Sequence, residues 1–172
     1  MDVRYPIGKY QFEGVISSDV MSEWIRQIEE LPELLREAVK DLDDDQLNTP
    51  YRPGGWTVRQ VIHHLADSHM NAYIRLKLTL TEDSPVVKTY DETKWAELEG
   101  DQISAESSLF LLEGLHARWS QLLRTLHPSD FKKTFTHPEF GHVSIGHNTS
   151  LYAWHGRHHL AHITSLLERE GW

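Results

Sequence analysis

Residues 54–69 read GGWTVRQVIHHLADSH, and the way this stretch starts a helix decides how the rest of the chain is read. Thr57 precedes Val58, and Gln60 follows three positions later. This is the capping-box arrangement, in which each side chain satisfies a free amide of the first turn. The preceding NTPYRPGG, residues 48–55, is loop by composition, with two prolines and paired glycines. Beyond the cap, Val61, Leu65, Ala72, Leu76 and Leu80 recur at helical spacing, and Ile62, Ala66 and Tyr73 widen the face. His63 and His64 lie inside this helix about 100° apart around its axis. His64 adjoins the apolar stripe, so it is the one of the pair expected to face the interior.

Three further helices follow from the same periodicity. Trp24, Ile28, Leu31, Leu35, Ala38 and Leu42 alternate steps of four and three over residues 22–42. Pro32 falls within them and predicts a kink or a start displaced toward it, because proline removes a backbone donor and crowds the preceding turn. Leu111, Leu115, Leu122 and Leu126, with Leu112 and Trp119 beside them, predict a helix over 104–126, in which His116 looks incidental. The last helix should run from Ser144 to about Glu170, with Gly171 as its stop. DETKWAEL, residues 91–98, suits a short capped helix within the long crossover, and residues 128–143 suit a small hairpin or a long loop. Residues 1–17 read as an extended arm lying on the domain, and Asp43, Asp44 and Asp45 as a solvated helix exit. The expected fold is all-α, a four-helix bundle with long crossover connections, in a single domain over residues 1–172.

Bulk properties narrow the chemistry. No stretch approaches the roughly 20 apolar residues of a membrane helix. The first residues carry no apolar signal core, so a soluble, cytoplasmic protein is expected. A net charge of -9 offers no footprint for a phosphate backbone, which argues against a nucleic-acid partner. With no cysteine, any metal must be held by His, Asp or Glu. Histidine is the anomaly: there are 12, against 17 Lys and Arg together.

Four of the histidines fall in YAWHGRHHLAHI, residues 152–163. His155 and His159 are four apart, and so are His158 and His162, so either pair can present two rings on one helical face. The two registers compete. A third ligand from a facing helix, best supplied by His64, would complete a three-histidine site with a position left for water or substrate. Three neutral imidazoles leave the double charge of a divalent ion uncompensated, which favours a bound water or thiol losing its proton. Asp67, one turn after His64, is a candidate to orient a ligand imidazole through its second nitrogen. An ordinary surface or helix-pair carboxylate is the alternative. Arg59, Arg75 and Arg157 are candidates to receive ligand carboxylates, against a solvated-face reading for each. Tyr73 and Tyr152 lie near the ligand faces and read as core aromatics.

The run GGWTVRQVIHHLADSHMNAYIRLKLTL, the arm YPIGKY, the segment YDETKWAEL and the closing YAWHGRHHLAHI together resemble the DinB/YfiT-like metalloprotein superfamily. The match is nearest to its bacillithiol S-transferase branch, whose members also carry the description of metal-dependent hydrolases. The resemblance covers nearly the whole chain. It implies up-down-down-up connectivity and one divalent ion per chain, zinc or nickel, held by His64, His155 and His159, with His158/His162 as the second register. It further implies transfer of the thiol of bacillithiol to electrophilic small molecules, with hydrolysis at the same ion as the alternative, and a homodimeric assembly.

Overall fold

The computed structural model describes residues 2–12, 14, 16–99 and 102–172. Four long helices carry the fold: α1 (Ser18–Val39), α3 (Val58–Thr81), α5 (Ala105–Thr125) and α6 (Ile145–Glu170). Two short helices, α2 (Asp44–Leu47) and α4 (Glu92–Glu99), sit in the connections. A 3₁₀ turn over Asp130–Lys132 and an antiparallel pair, β1 (Thr134–His137) with β2 (Gly141–Ser144), precede α6. The hairpin possibility over 128–143 is therefore the one realised.

Helix boundaries follow their capping residues. Ser17 accepts from the Val20 amide and starts α1 four residues before the expected Ser22. Thr57 and Gln60 form the full reciprocal box at α3, and Ser144 accepts from the His147 amide at α6. Gly171 ends α6 in the left-handed region at φ 73°, which a glycine enters without strain. Asp43 caps the one-turn α2, so the aspartate run forms a turn of helix rather than a simple exit.

α1 packs on both α5 and α6, and α3 packs on the same two helices. Of the pairs consecutive in the chain, α3 and α5 are neighbours, whereas α1 with α3 and α5 with α6 stand across the bundle from each other. That pairing makes this a four-helix bundle with crossover connections and excludes simple up-and-down order. Two apolar clusters fill it. One is built around Leu35, Ile62, Leu65 and Leu112 and the other around Ile28, Leu76, Trp119 and Ile145. Gly156 on α6 lets α1 approach closely, since a Cβ there would fall 2.4 Å from Leu31 Cδ2.

Two expectations are corrected. α1 does not start late at Pro32; it runs through that residue, which is buried. A helix carbonyl normally accepts from the amide four residues on, and for Ile28 that residue is Pro32, which has no N–H. The Ile28 carbonyl is thereby left to another donor, which proves to be His116. In α5 the buried stripe is Ala105, Leu109, Leu112, His116, Trp119 and Leu123, so the expected face was displaced by about one residue and Leu111 is exposed. His116 thus occupies a central core position.

The arm over residues 2–12 lies along α6, as its lack of periodicity suggested; Met1, Glu13 and Val15 fall outside the described residues. Tyr10 Oη is 2.6 Å from Ser150 Oγ, Phe12 stacks on His147 and Tyr5 on His158. No helix among the described residues is long and apolar enough to cross a membrane.

Thr57 starts the helix that carries His64. Thr57→Ala should lower the unfolding free energy by about 1 kcal/mol, measured by urea denaturation.

Candidate metal centre

α3 and α6 pack side by side and bring His64, His155 and His159 together. Their ligand nitrogens all lie within 4.8 Å of one another, and among the described residues this is the one such group of three or more. His64 Nε2 and His155 Nε2 stand 3.3 Å apart. Two nitrogens each 2.0–2.1 Å from one tetrahedral ion would be separated by roughly 3.3–3.4 Å, so this pair fits a shared divalent cation. Nδ1 of His159 is buried with no hydrogen-bond partner among the described residues. The donor set is wholly neutral nitrogen, which suits zinc or nickel better than the hard, oxygen-seeking magnesium or calcium.

Burial keeps these rings uncharged. It pushes His64 down to about 4 and holds His155 and His159 well below the usual imidazole value, with neighbouring imidazoles adding to the effect on the latter two. Neutral imidazole is the form that ligates a metal. The Trp56 indole packs against the His64 ring at 4.6 Å and lies nearly parallel to His159 at 6.3 Å. It thus restricts two of the three rings and shields that side from water. The sequence signal for Trp56 was present in the GGW that precedes the cap, but it read only as loop.

Behind the three rings lies a polar chain that the apolar periodicity concealed. His155 Nδ1 is 3.1 Å from His69 Nε2, and His69 Nδ1 is 2.9 Å from His116 Nε2. His116 Nδ1–H donates to the Ile28 carbonyl. His69 and His116 are fully buried, and burial pushes His116 down to about 4 and His69 well below the usual value. Both sit on the central stripes of their helices, His69 between Leu65 and Ala72, His116 between Leu112 and Trp119. That placement was the available signal. His155 Nδ1 thus has its hydrogen-bond partner in His69. Asp67 is half-buried on α3, three residues after His64.

The other histidines have separate roles. His63 is buried as well as His64, which corrects the expectation that only one of them turns inward. Its Nδ1 lies 2.7 Å from Ser108 Oγ and its Nε2 3.3 Å from the Ile103 carbonyl, against α5 and the segment leading into it. His158 and His162 stand outside the triad: His158 stacks on Trp154 and Tyr5, and His162 stacks on Tyr51 while its Nε2–H donates to the Arg4 carbonyl.

The triad opens into a cavity of about 580 Å³ whose wall includes Arg4, Tyr51, Arg52, Trp56, Glu92 and His158. The three arginines considered from the sequence are engaged elsewhere. Arg59 is buried against Asn48 and Asp44, Arg75 donates to the Lys88 carbonyl, and Arg157 to the Ala153 carbonyl. Arg52, and Arg4 with its ion-pair partner Asp2, stand at the cavity instead. Glu92 has its carboxyl raised above the ordinary value, by burial first and by Asp91 second.

A crossover four-helix bundle holding three convergent histidines at the base of a cavity defines a candidate mononuclear metal enzyme. The chain belongs to the DinB superfamily, whose family model matches residues 27–163. Among its relatives, a "putative metal-dependent hydrolase" of Oceanobacillus iheyensis is 60% identical over 172 residues, all of both chains. One of the same description from Bacillus mycoides is 55% identical over 171 residues, 99% of each. The solved structure of YfiT from Bacillus subtilis, described as a probable metal-dependent hydrolase with an unusual four-helix bundle topology, is 49% identical. It matches with a TM-score of 0.96 over 100% of this chain and 99% of its own. TT2238, a four-helix bundle protein at 23% identity, shares the fold with a TM-score of 0.61 over 84% of this chain and 98% of its own.

Two outcomes test the site. His64→Ala should abolish stoichiometric divalent metal in the purified protein by elemental analysis; full occupancy would remove His64 from the ligand set. For metal-free protein, acidification from pH 6.5 toward 4 protonates His116 in the unfolded chain before the folded one. The unfolded state then binds more protons, so stability falls with falling pH. His116→Gln should show a shallower fall, the difference being on the order of 3 kcal/mol across that window, read from urea unfolding at a series of pH values.

Proposed function

We propose that this chain is a metal-dependent S-transferase that joins a low-molecular-weight thiol, bacillithiol, to electrophilic small molecules. The observation that carries the reading is the meeting of an all-neutral histidine triad with a cavity whose wall bears the Arg52 guanidinium beside an Arg4 already paired with Asp2. Bound by His64, His155 and His159, a zinc or nickel ion would supply Lewis acidity that lowers the pKa of a coordinated thiol or water.

The protein's own residues account for the rest. Arg4 and Arg52 line the cavity; Arg4 is paired with the Asp2 carboxylate, which leaves Arg52 as the guanidinium placed to take a ligand carboxylate in bidentate geometry. Arg52 donates to two neutral oxygens, the Tyr51 hydroxyl and the Pro53 carbonyl. Its charge is thus held in place by groups that do not neutralise it, as an anionic cosubstrate requires. Trp56 covers two of the triad rings, and the cavity is large enough to hold a thiol and an electrophile side by side, which lowers the entropic part of the barrier. The sulfur comes from the cosubstrate, consistent with a chain that has no cysteine. The partners in this reading are small molecules, with neither nucleic acid nor membrane, and the assembly is a homodimer.

Hydrolysis is the second reading, and Glu92 favours it. Its carboxyl, on the cavity wall and raised by partial loss of solvent and by Asp91, is suited to take a proton from water. The descriptions of the relatives point the same way.

The two readings separate in one pair of assays. Metal-loaded protein with bacillithiol and monochlorobimane should form the conjugate at a rate above background that disappears with a chelator. No such rate overturns the transferase, and turnover of ester or amide substrates without added thiol establishes the hydrolase.

A further inference from the structure

We infer that His69 and His116 are positioning residues that dictate which nitrogen of His155 faces the metal, through a one-way chain of hydrogen bonds that begins at the Ile28 carbonyl. The inference rests on the metal reading of the triad and does not depend on which reaction occurs there.

The direction of the chain follows from donor and acceptor chemistry alone. A carbonyl oxygen only accepts, so the proton between Ile28 and His116 belongs to His116 Nδ1. A neutral imidazole has one N–H, which leaves Nε2 of His116 as an acceptor. His69 Nδ1, 2.9 Å away, must then be the donor, and His69 Nε2 in turn must accept. His155 Nδ1, 3.1 Å from it, must donate. The bare nitrogen of His155 is thereby Nε2, the atom that stands 3.3 Å from His64 Nε2. Reversing any link would set N–H against N–H or a lone pair against the carbonyl. A second proton on any of the three rings would do the same.

The far end of the chain and its surroundings are fixed by features otherwise hard to account for. At the far end, Pro32 denies Ile28 its helical partner, so the carbonyl is available in the middle of a buried helix face. Along its length the chain is enclosed by aromatic rings. Tyr152 meets His69 edge-on at 5.1 Å, and Trp119 meets His69 and His116 at 5.8 Å each. In that apolar sheath no water competes for the imidazole protons, and successive hydrogen bonds strengthen one another. An orienting partner of this kind fixes the ligand's tautomer and raises its basicity.

The test begins with metal-free wild-type protein. Long-range ¹H–¹⁵N correlation of the imidazole nitrogens should show the Nδ1–H tautomer at His116, His69 and His155. A proton on Nε2 of His155 overturns the inference. Two substitutions then separate hydrogen bonding from packing. His69→Gln places an amide oxygen where it can accept from His155 Nδ1–H, and His69→Leu offers no acceptor. By chelator competition His69→Leu should bind zinc about 10–100-fold more weakly, and His69→Gln within about three-fold of wild type. Equal losses in the two variants, or no loss in the leucine variant, overturn the inference. The wild-type tautomers decide the matter if either variant fails to fold. Failure of wild type to bind metal would instead remove the metal reading, and the metal-free spectra would still decide the direction of the chain.

Discussion

The structure depends on keeping several imidazoles uncharged inside an apolar bundle. A histidine in water titrates near neutrality, but His64, His69, His116, His155 and His159 are all depressed, chiefly by loss of solvent. No carboxylate belongs to the triad to offset a ring cation. Each ring is therefore restricted to one donor and one acceptor, and a buried acceptor or donor left unmatched costs about 1–3 kcal/mol. The packing that excludes water is thus what turns a group of histidines into an ordered array of lone pairs and protons.

Pro32 links that array to the backbone. Within a helix it is locally unfavourable, since it removes one hydrogen bond and crowds the carbonyl four residues back. Here the loss is matched by His116, which supplies the Ile28 carbonyl with a donor from α5. The exchange ties α1 to α5 at the level of His69 and so to α3, and from there to α6. Four helices are connected through one line of polar contacts running across two otherwise apolar clusters. A residue that looks like a helix breaker in isolation is explained by the partner that its loss gives to Ile28, 88 positions away from that carbonyl in the chain.

Much of the architecture was legible because it is encoded locally. Thr57 with Gln60, Ser144 and Gly171 mark helix ends through short-range chemistry, and the apolar repeats mark the helices between them. The convergence of His64 with one register of the last helix was legible only as a pair of alternatives, because both HxxxH registers satisfy helical spacing equally. What was missed has a common cause. Taking only apolar residues as core displaced the α5 face toward Leu111 and passed over position 69 in α3, where the repeat from Leu65 to Ala72 has a histidine in its step. A polar residue on a core stripe is itself information, since it must meet a partner from another helix. Arg4, Arg52 and Glu92 were illegible for a different reason: their meeting at the cavity is set by the folded path of the arm and loops, which no periodicity describes.

The second HxxxH pair shows why spacing alone does not bring two rings to the triad. His158 and His162 have the same helical geometry as His155 and His159, yet they face the arm rather than α3. Their rings stack on Tyr5, Trp154 and Tyr51, and His162 binds the arm's backbone at Arg4. These contacts hold Arg4 and Tyr5 at the wall of the cavity. The arm carries no helix or strand of its own to fix it, so its position depends on α6. One helix therefore serves both boundaries of the site, with one face presenting nitrogen to the triad and the adjacent face holding the segment that closes the cavity over it. A change at His158 or His162 would reach the cavity through the arm, and one at His69 or His116 would reach it through His155. The two routes are physically separate although they meet at residues three positions apart.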